Sequence, residues 1–168
     1  MPRKGYSFRD VTETDLPMLR GWLEQPHMRQ WWDDPDTEIA AIAGHMDSVS
    51  VEPLIAELDG RPIGYAQWYD PHLEDDHPYG DQPFGTLGID LSIGEADMLG
   101  QGHGSALLRA LADELIEEGA PRLVIDPHPD NRRAIRAYEK AGFRHFDTRN
   151  SIYGPAFMMA LDAPEETD

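Results

Sequence analysis

Cysteine is absent from the 168 residues. That excludes disulfides, zinc–thiolate sites and a thiol nucleophile. Lysine is almost absent: Lys4 and Lys140 are the only two. No apolar run approaches the roughly 18 residues that span a bilayer, and none has the form of a signal-peptide core. The sequence therefore predicts a soluble, cytoplasmic protein. Positive charge is scarce overall, with 14 Lys and Arg against 32 Asp and Glu and a formal net charge of −18. In the mean such a chain repels nucleic acid and anionic lipid and attracts cations. The same excess also suits solvation in a salty cytoplasm, and composition does not separate the two causes. The length is that of one domain. A single domain over 1–168 is expected, with an acidic, frayed tail at about 162–168.

The pattern of apolar residues alternates between strand and helix periods. Ser7 to Val11 reads as a strand, and Leu16, Leu19 and Leu23 as a helix after the capping candidates Thr12 and Thr14, stopped by Pro26. Trp31 to Pro35 breaks the chain before a weakly striped helix from Thr37 to Met46. Val51 to Leu58 and Pro62 to Tyr69 flank Asp59 and Gly60, a hairpin signal. An acidic loop from Asp70 to Phe84 leads to a strand over Gly85 to Ile93, whose alternation puts Asp90 and Ser92 on one face. A glycine-rich turn then opens a helix carrying Leu107, Leu108, Leu111 and Leu115 and ending near Gly119. A strand at Arg122 to Asp126, a helix at Asn131 to Ala141 and strands at Arg144 to Arg149 and Ala156 to Leu161 complete the chain. The fold class expected is α/β (α+β), a mixed central sheet flanked by helices on both faces.

Leu99, Gly100, Gln101, Gly102, His103, Gly104 and Ser105 lie between strand and helix. Such a turn aims backbone N–H groups and a helix N-terminus at an anion, and glycine admits a phosphate closely. Alone it is equally a packing or capping turn, and its spacing matches neither a GxxxxGK[ST] nor a GxGxxG loop. Downstream, Asn131, Ile135 and Tyr138 share a helix face at i, i+4 and i+7, ahead of Gly142–Phe143.

Turn, strand and Asn-to-Tyr helix together resemble the acyl-CoA signature of the GNAT superfamily. Gly88 to Ser92 (GIDLS), Pro62 to Gln67 (PIGYAQ) and the Trp31–Trp32 pair are similar to segments of the aminoglycoside 6′-N-acetyltransferases. The resemblance implies acetyl-CoA as cosubstrate and no metal. It implies a cofactor site of Leu91, Ser92, Ile93, Leu99 to Ser105, Asn131, Arg136 and Tyr138. Arg132, Arg133 and Arg136 form a basic patch in an acidic chain that suits the 3′-phosphate, or equally a solvated helix face. Many members place Arg or Gln where this chain has Leu99, so backbone amides are expected to carry the pyrophosphate. Tyr138 is implied as the general acid for the leaving thiolate. Packing alone would also explain a tyrosine there.

Asp90 and Asp126 occupy strand positions that disfavour carboxylates, although Asp126 also suits a strand-end turn with Pro127. The resemblance implies that both face the acceptor amine and help a proton leave, Asp90 first. Trp31, Trp32, Tyr65, Gln67, Asp75, Asp76 and Asp81 are the remaining acceptor-binding candidates. The acids of the 70–81 loop would form a wall for a polycation, unless they are solvated surface. Trp68 and Tyr69 are further stacking candidates, although packing as core or hinge residues explains each of these four aromatics, Trp31 and Trp32 included, without a ligand. His72 and His77 flank that loop without fixed metal geometry. The expected reaction is direct attack of a neutral primary amine on acetyl-CoA, with the carbonyl polarised by a backbone N–H near Leu91 or Ser92 and no acetyl-enzyme. The partner expected is a small cationic amine, with no nucleic acid or membrane, in a monomer or homodimer. Alternatives are a GNAT enzyme for a polyamine, siderophore precursor or protein N-terminus, and a non-catalytic CoA-binding domain.

Overall fold

The computed structural model describes residues 5–152 and 154–164. Seven strands form one sheet in the order β1-β2-β3-β4-β5-β7-β6. β1 (Tyr6–Asp10), β2 (Val51–Leu58), β3 (Arg61–Tyr69) and β4 (Leu87–Ile93) are antiparallel neighbours. The hairpin between β2 and β3 turns through Asp59 at φ 51 and Gly60 at φ 85, the paired positive dihedrals of a tight two-residue turn. β5 (Arg122–Ile125) lies parallel to β4, and β7 (Gly154–Asp162) pairs antiparallel with both β5 and β6 (Arg144–Ser151).

Helices cover both faces. α1 (Leu16–Leu23), α2 (Pro26–Arg29) and α3 (Pro35–His45) lie on one face, where Leu19, Trp22 and Ile42 pack on Ile55 and Tyr65. α4 (His103–Glu117) and α5 (Arg132–Lys140) lie on the other. There the leucine stripe of α4 meets Leu54, Ala66, Ile89 and Leu123. Strand alternation assigns each residue its face. Asp90 therefore points away from α4 while its neighbours Ile89 and Leu91 point toward it.

Two local expectations change. Pro26 does not stop α1, which ends at Leu23; it opens α2 as its first residue, where a missing N–H costs nothing. The segment expected to fray is ordered at its start, where Asp162 closes β7 and its carboxylate pairs with Arg122 at 2.9 Å. Residues 165–168 of that tail lie outside the described residues. No described helix is long and apolar enough to cross a membrane.

α1 is fixed to the sheet by Asp15, which accepts the Thr12 N–H at 2.8 Å and a two-pronged contact from Arg9 of β1 at 2.8 and 2.9 Å. The Arg9 guanidinium holds the Asp15 carboxyl down at about 2. A carboxylate depressed in the folded state adds stability that is complete above its unfolded pKa and lost as pH falls through the folded one. Asp15→Asn is expected to cost about 1–3 kcal/mol near neutrality. The gap between the two proteins should close as pH falls from about 5 to 2, measured by chemical denaturation across that range.

Candidate active site

β4 and β5 pair only at Leu87–Leu123 and Gly88–Val124. Beyond those two positions the strands part, leaving one backbone edge of β4 open. Two side chains satisfy carbonyls on this edge: Tyr138 of α5 donates to Leu91 at 3.5 Å, and His27 of α2 donates through Nε2 to Ile93 at 2.9 Å. The N–H and C=O of a strand residue point the same way. The Leu91 N–H therefore faces the notch, whereas that of Ser92 faces β3, which decides between the two expected amides.

The first cleft, of about 740 Å³, runs from this notch to the start of α4. Gly102 caps α4 in the left-handed region at φ 84, a conformation that favours glycine. A side chain built on it would meet nothing within 4 Å, so the turn opens onto the cleft. The first intrahelical bond runs from the Ala106 N–H to Gly102, which leaves the preceding amides directed outward at the positive end of the helix. Gly100, Gly102, His103, Gly104 and Ser105 line this end, with Leu99 beside them. Gln101 does not: its amide turns back to the Asp97 carbonyl at 2.5 Å.

Across the cleft, α5 contributes Arg132, Arg133, Arg136 and Lys140, and Arg133 closes over the turn, 3.2 Å from where a Gly100 Cβ would sit. Asn131 lines the cleft too, but its side-chain oxygen already caps α5 by accepting the Ala134 N–H at 3.2 Å. Leu91, Ser92, Ile93 and Tyr138 form the notch end. Amides and cations at one end, with Met28 and Met98 along the walls, fit an elongated ligand that is phosphorylated at one end and mostly uncharged at the other.

A second cavity, of about 350 Å³, lies on the opposite face of the sheet. Asp90 and Asp126 form its floor. Gln67, directly across from Asp90 on β3, donates to it at 2.8 Å and accepts the Tyr65 hydroxyl at 2.6 Å. Tyr65 thus acts from behind Gln67, buried against Trp32. Burial raises the pKa of both carboxyls, and the Asp90 charge raises that of Asp126 further. The pair therefore holds a proton to higher pH than free carboxylates do. Between the first cleft and this cavity lies a smaller pocket of about 220 Å³, which shares Trp31, Trp32, Leu91 and Tyr138 with the first cleft and Trp32, Asp90 and Asp126 with the second cavity; the Trp31 ring sits 5.5 Å from His128. Leu91 and Tyr138 stand where the first cleft opens into this smaller pocket. Burial, then Asp90 and Asp126, raise the Tyr138 pKa, so its phenol stays protonated.

The acidic loop does not form the wall expected of it. Asp75 and Asp76 are exposed and do not line the cavity. Asp81 is held by Arg149 of β6 at 2.7 Å, a cation far away in sequence. Its place is taken by Glu74 from the same loop and Glu38 from α3. Glu38 was missed because the α3 stripe is weak; its signal was the i, i+4, i+7 spacing with Ile42 and His45, which puts all three on one face. Burial, with Asp33, Asp90 and Asp34 nearby, pushes the Glu38 carboxyl up to about 7. Trp68 packs into the core on the α4 face, so only Tyr69 of that pair reaches the cavity. His72 and His77 serve the loop itself: His72 bonds the Gln82 carbonyl at 2.9 Å, and His77 Nδ1 accepts the Tyr79 N–H at 3.1 Å.

The family model described as acetyltransferase (GNAT) domain matches residues 11–150. The aminoglycoside N(6′)-acetyltransferase type 1 of Klebsiella pneumoniae is 38% identical over 162 residues, covering 91% of this chain and 81% of that protein. The N-hydroxyputrescine acetyltransferase of Acinetobacter baumannii is 31% identical over 139 residues, covering 80% and 65%. Among solved structures, aminoglycoside acetyltransferase AAC(6')-Ib in complex with coenzyme A and kanamycin superposes with a TM-score of 0.82 at 36% identity, over 94% of each chain. The family match runs from α1 into β6, through every element that builds the first cleft and the carboxylate floor of the second. The chain belongs to the GNAT family of acetyl-CoA-dependent N-acetyltransferases.

Proposed function

We propose that this enzyme acetylates a primary amine of a polycationic acceptor, the 6′-amine of an aminoglycoside. The observation that carries the reading is the small pocket that joins a carboxylate-floored cavity to a phosphate-binding cleft, with Leu91 and Tyr138 on its cleft side and Asp90 and Asp126 on its cavity side. The Klebsiella relative is named for that reaction, and AAC(6')-Ib was solved with kanamycin; both support it. The Acinetobacter relative, named for N-hydroxyputrescine, supports a second reading in which the acceptor is an alkyl polyamine derivative.

Bound acetyl-CoA supplies an activated acetyl thioester. The α4 amides with Arg133, Arg136 and Lys140 hold its phosphates. The Leu91 N–H donates toward the place where negative charge develops on the carbonyl oxygen, a contact that needs no reorganisation because the strand edge is fixed. Tyr138 keeps its proton beside the first cleft until the carbon–sulfur bond breaks, gives it to the departing sulfur, and is reprotonated by the proton that the newly acylated nitrogen sheds. Asp90 and Asp126 attract the acceptor ammonium, and the pair, once it has lost its own proton, takes the one that must leave before the amine can attack. Orientation across the notch supplies much of the rate.

Acetyl-CoA consumption with kanamycin, confirmed by product mass, tests the reading against putrescine-type amines. Kanamycin left unmodified would remove it. In the same assay Tyr138→Phe should lower kcat about 10²-fold with little change in the KM for acetyl-CoA.

The acceptor kcat/KM should rise with pH as the Asp90–Asp126 pair loses its proton. Asp90→Asn should lower the plateau and shift the remaining acid limb to lower pH, because the like charge that raises Asp126 is gone. A pH–rate profile of each protein checks both shifts.

Inner and outer acids should also separate. Glu38→Gln is expected to raise the acceptor KM about 10-fold, the scale of one charge-assisted contact. The double replacement Asp75→Asn and Asp76→Asn should change it less than about 3-fold, and only at low salt, since exposed charges are screened over about 8 Å. Steady-state kinetics at two ionic strengths distinguish them.

A further inference from the structure

Tyr79 comes from the middle of the 70–84 loop, is 1% exposed, and lines the acceptor cavity beside Asp126 and Tyr69. Its position is fixed from several sides. Its backbone N–H donates to His77 Nδ1, its carbonyl accepts the Gln82 N–H at 3.0 Å, and its ring stacks on His77 at 5.9 Å. The His77 ring in turn lies 5.2 Å from Tyr69. The loop is tied to the sheet by Arg149, which binds Asp81 and the Pro78 carbonyl, and by Arg122, which binds Gln82 at 3.1 Å. Yet the Tyr79 hydroxyl is buried with no hydrogen-bond partner among the described residues. Buried hydroxyls are rarely left so, and here the unmatched group borders a cavity.

The chemistry of the missing partner follows from the proton. Burial first, then Asp126 and Asp90, raise the phenol pKa, with Arg149 opposing, so the group remains an O–H donor at any working pH. An alkylammonium offers only donors, so it can bond the phenol oxygen but leaves the O–H itself unmatched. A hydroxyl or ether oxygen close to the reacting carbon offers lone pairs and matches it. We infer that the Tyr79 hydroxyl is a specificity subsite of the acceptor cavity, one that takes a hydroxyl or ring oxygen adjacent to the reactive amine. The inference rests on the reading of this cavity as the acceptor site. It narrows the acceptor to amines on an oxygenated skeleton, because a site with a buried donor discriminates against ligands that leave it unpaired.

The test compares two amines that share an aminomethyl group on a six-membered ring: methyl 6-amino-6-deoxyglucoside, which carries oxygens, and (aminomethyl)cyclohexane, which carries none. Wild-type enzyme should favour the first in kcat/KM. Tyr79→Phe, which keeps the ring and its stack on His77, should cut that preference about 10-fold or more. It should leave the KM for acetyl-CoA unchanged and the thermal midpoint equal or higher, since the variant removes only an unmatched polar group. A preference that survives Tyr79→Phe, or an equal loss for both amines, overturns the inference, the latter because it marks a hydroxyl acting through Asp126. If turnover of these small amines is too slow to follow, their dissociation constants measured by calorimetry give the same ratio, and its loss or survival in Tyr79→Phe decides the matter in the same way. Kanamycin acetylation by the wild-type protein is measured separately. Loss of the wider reading therefore appears as an inert kanamycin, and loss of this subsite as an unchanged ratio.

Discussion

The site depends on the parting of β4 from β5 after two paired residues. A strand edge inside a protein cannot leave its amides and carbonyls unmatched without cost, and here the edge is matched selectively. The carbonyls of Leu91 and Ile93 receive Tyr138 and His27, while the Leu91 amide remains directed into the notch. The same gap joins the two faces of the sheet. A ligand anchored at the α4 N-terminus can present one end to a cavity on the far side, and the sheet otherwise separates the two.

Charge is sorted across that gap. The chain has a net charge of −18, yet four of its basic side chains, Arg132, Arg133, Arg136 and Lys140, face the first cleft, and Glu38, Glu74, Asp90 and Asp126 face the second. Burial makes each inner carboxylate matter more than an outer one, because a low-dielectric wall strengthens its field and raises its proton affinity together. The cavity thus concentrates negative charge, and its carboxyls hold protons more tightly than surface acids do. The abundant surface acids contribute only a screened background.

The 70–84 loop shows how tertiary contacts reassign residues. Asp81 looks like part of a cationic-substrate wall until Arg149 from β6 neutralises it. His72 and His77, which flank the acids in sequence, bond within the loop and shape it. What the loop gives the cavity is Glu74, His77 and Tyr79, two of them ordinary-looking residues in a polar segment.

By itself the sequence determined the elements and the turn chemistry, because these rest on short-range physics. Alternation in β4, the Asp59–Gly60 turn and the leucine stripe of α4 are set by neighbours within a few residues. Side-chain alternation likewise fixed Asp90 on one face, and the glycine turn ahead of α4 lies along the first cleft. Sequence did not decide which acids meet. Glu38 and Asp90 are 52 positions apart in the chain and Asp81 and Arg149 are 68, so each pairing was settled only when α3 packed on β2 and the loop closed on β6. The roles of Gln101 and Asn131 followed the same rule: both sit in the expected signature, but local bonds to Asp97 and Ala134 engage their side chains. Tertiary structure also decided which tyrosine hydroxyl was left without a partner, since that depends on every atom around it and on no motif along the chain.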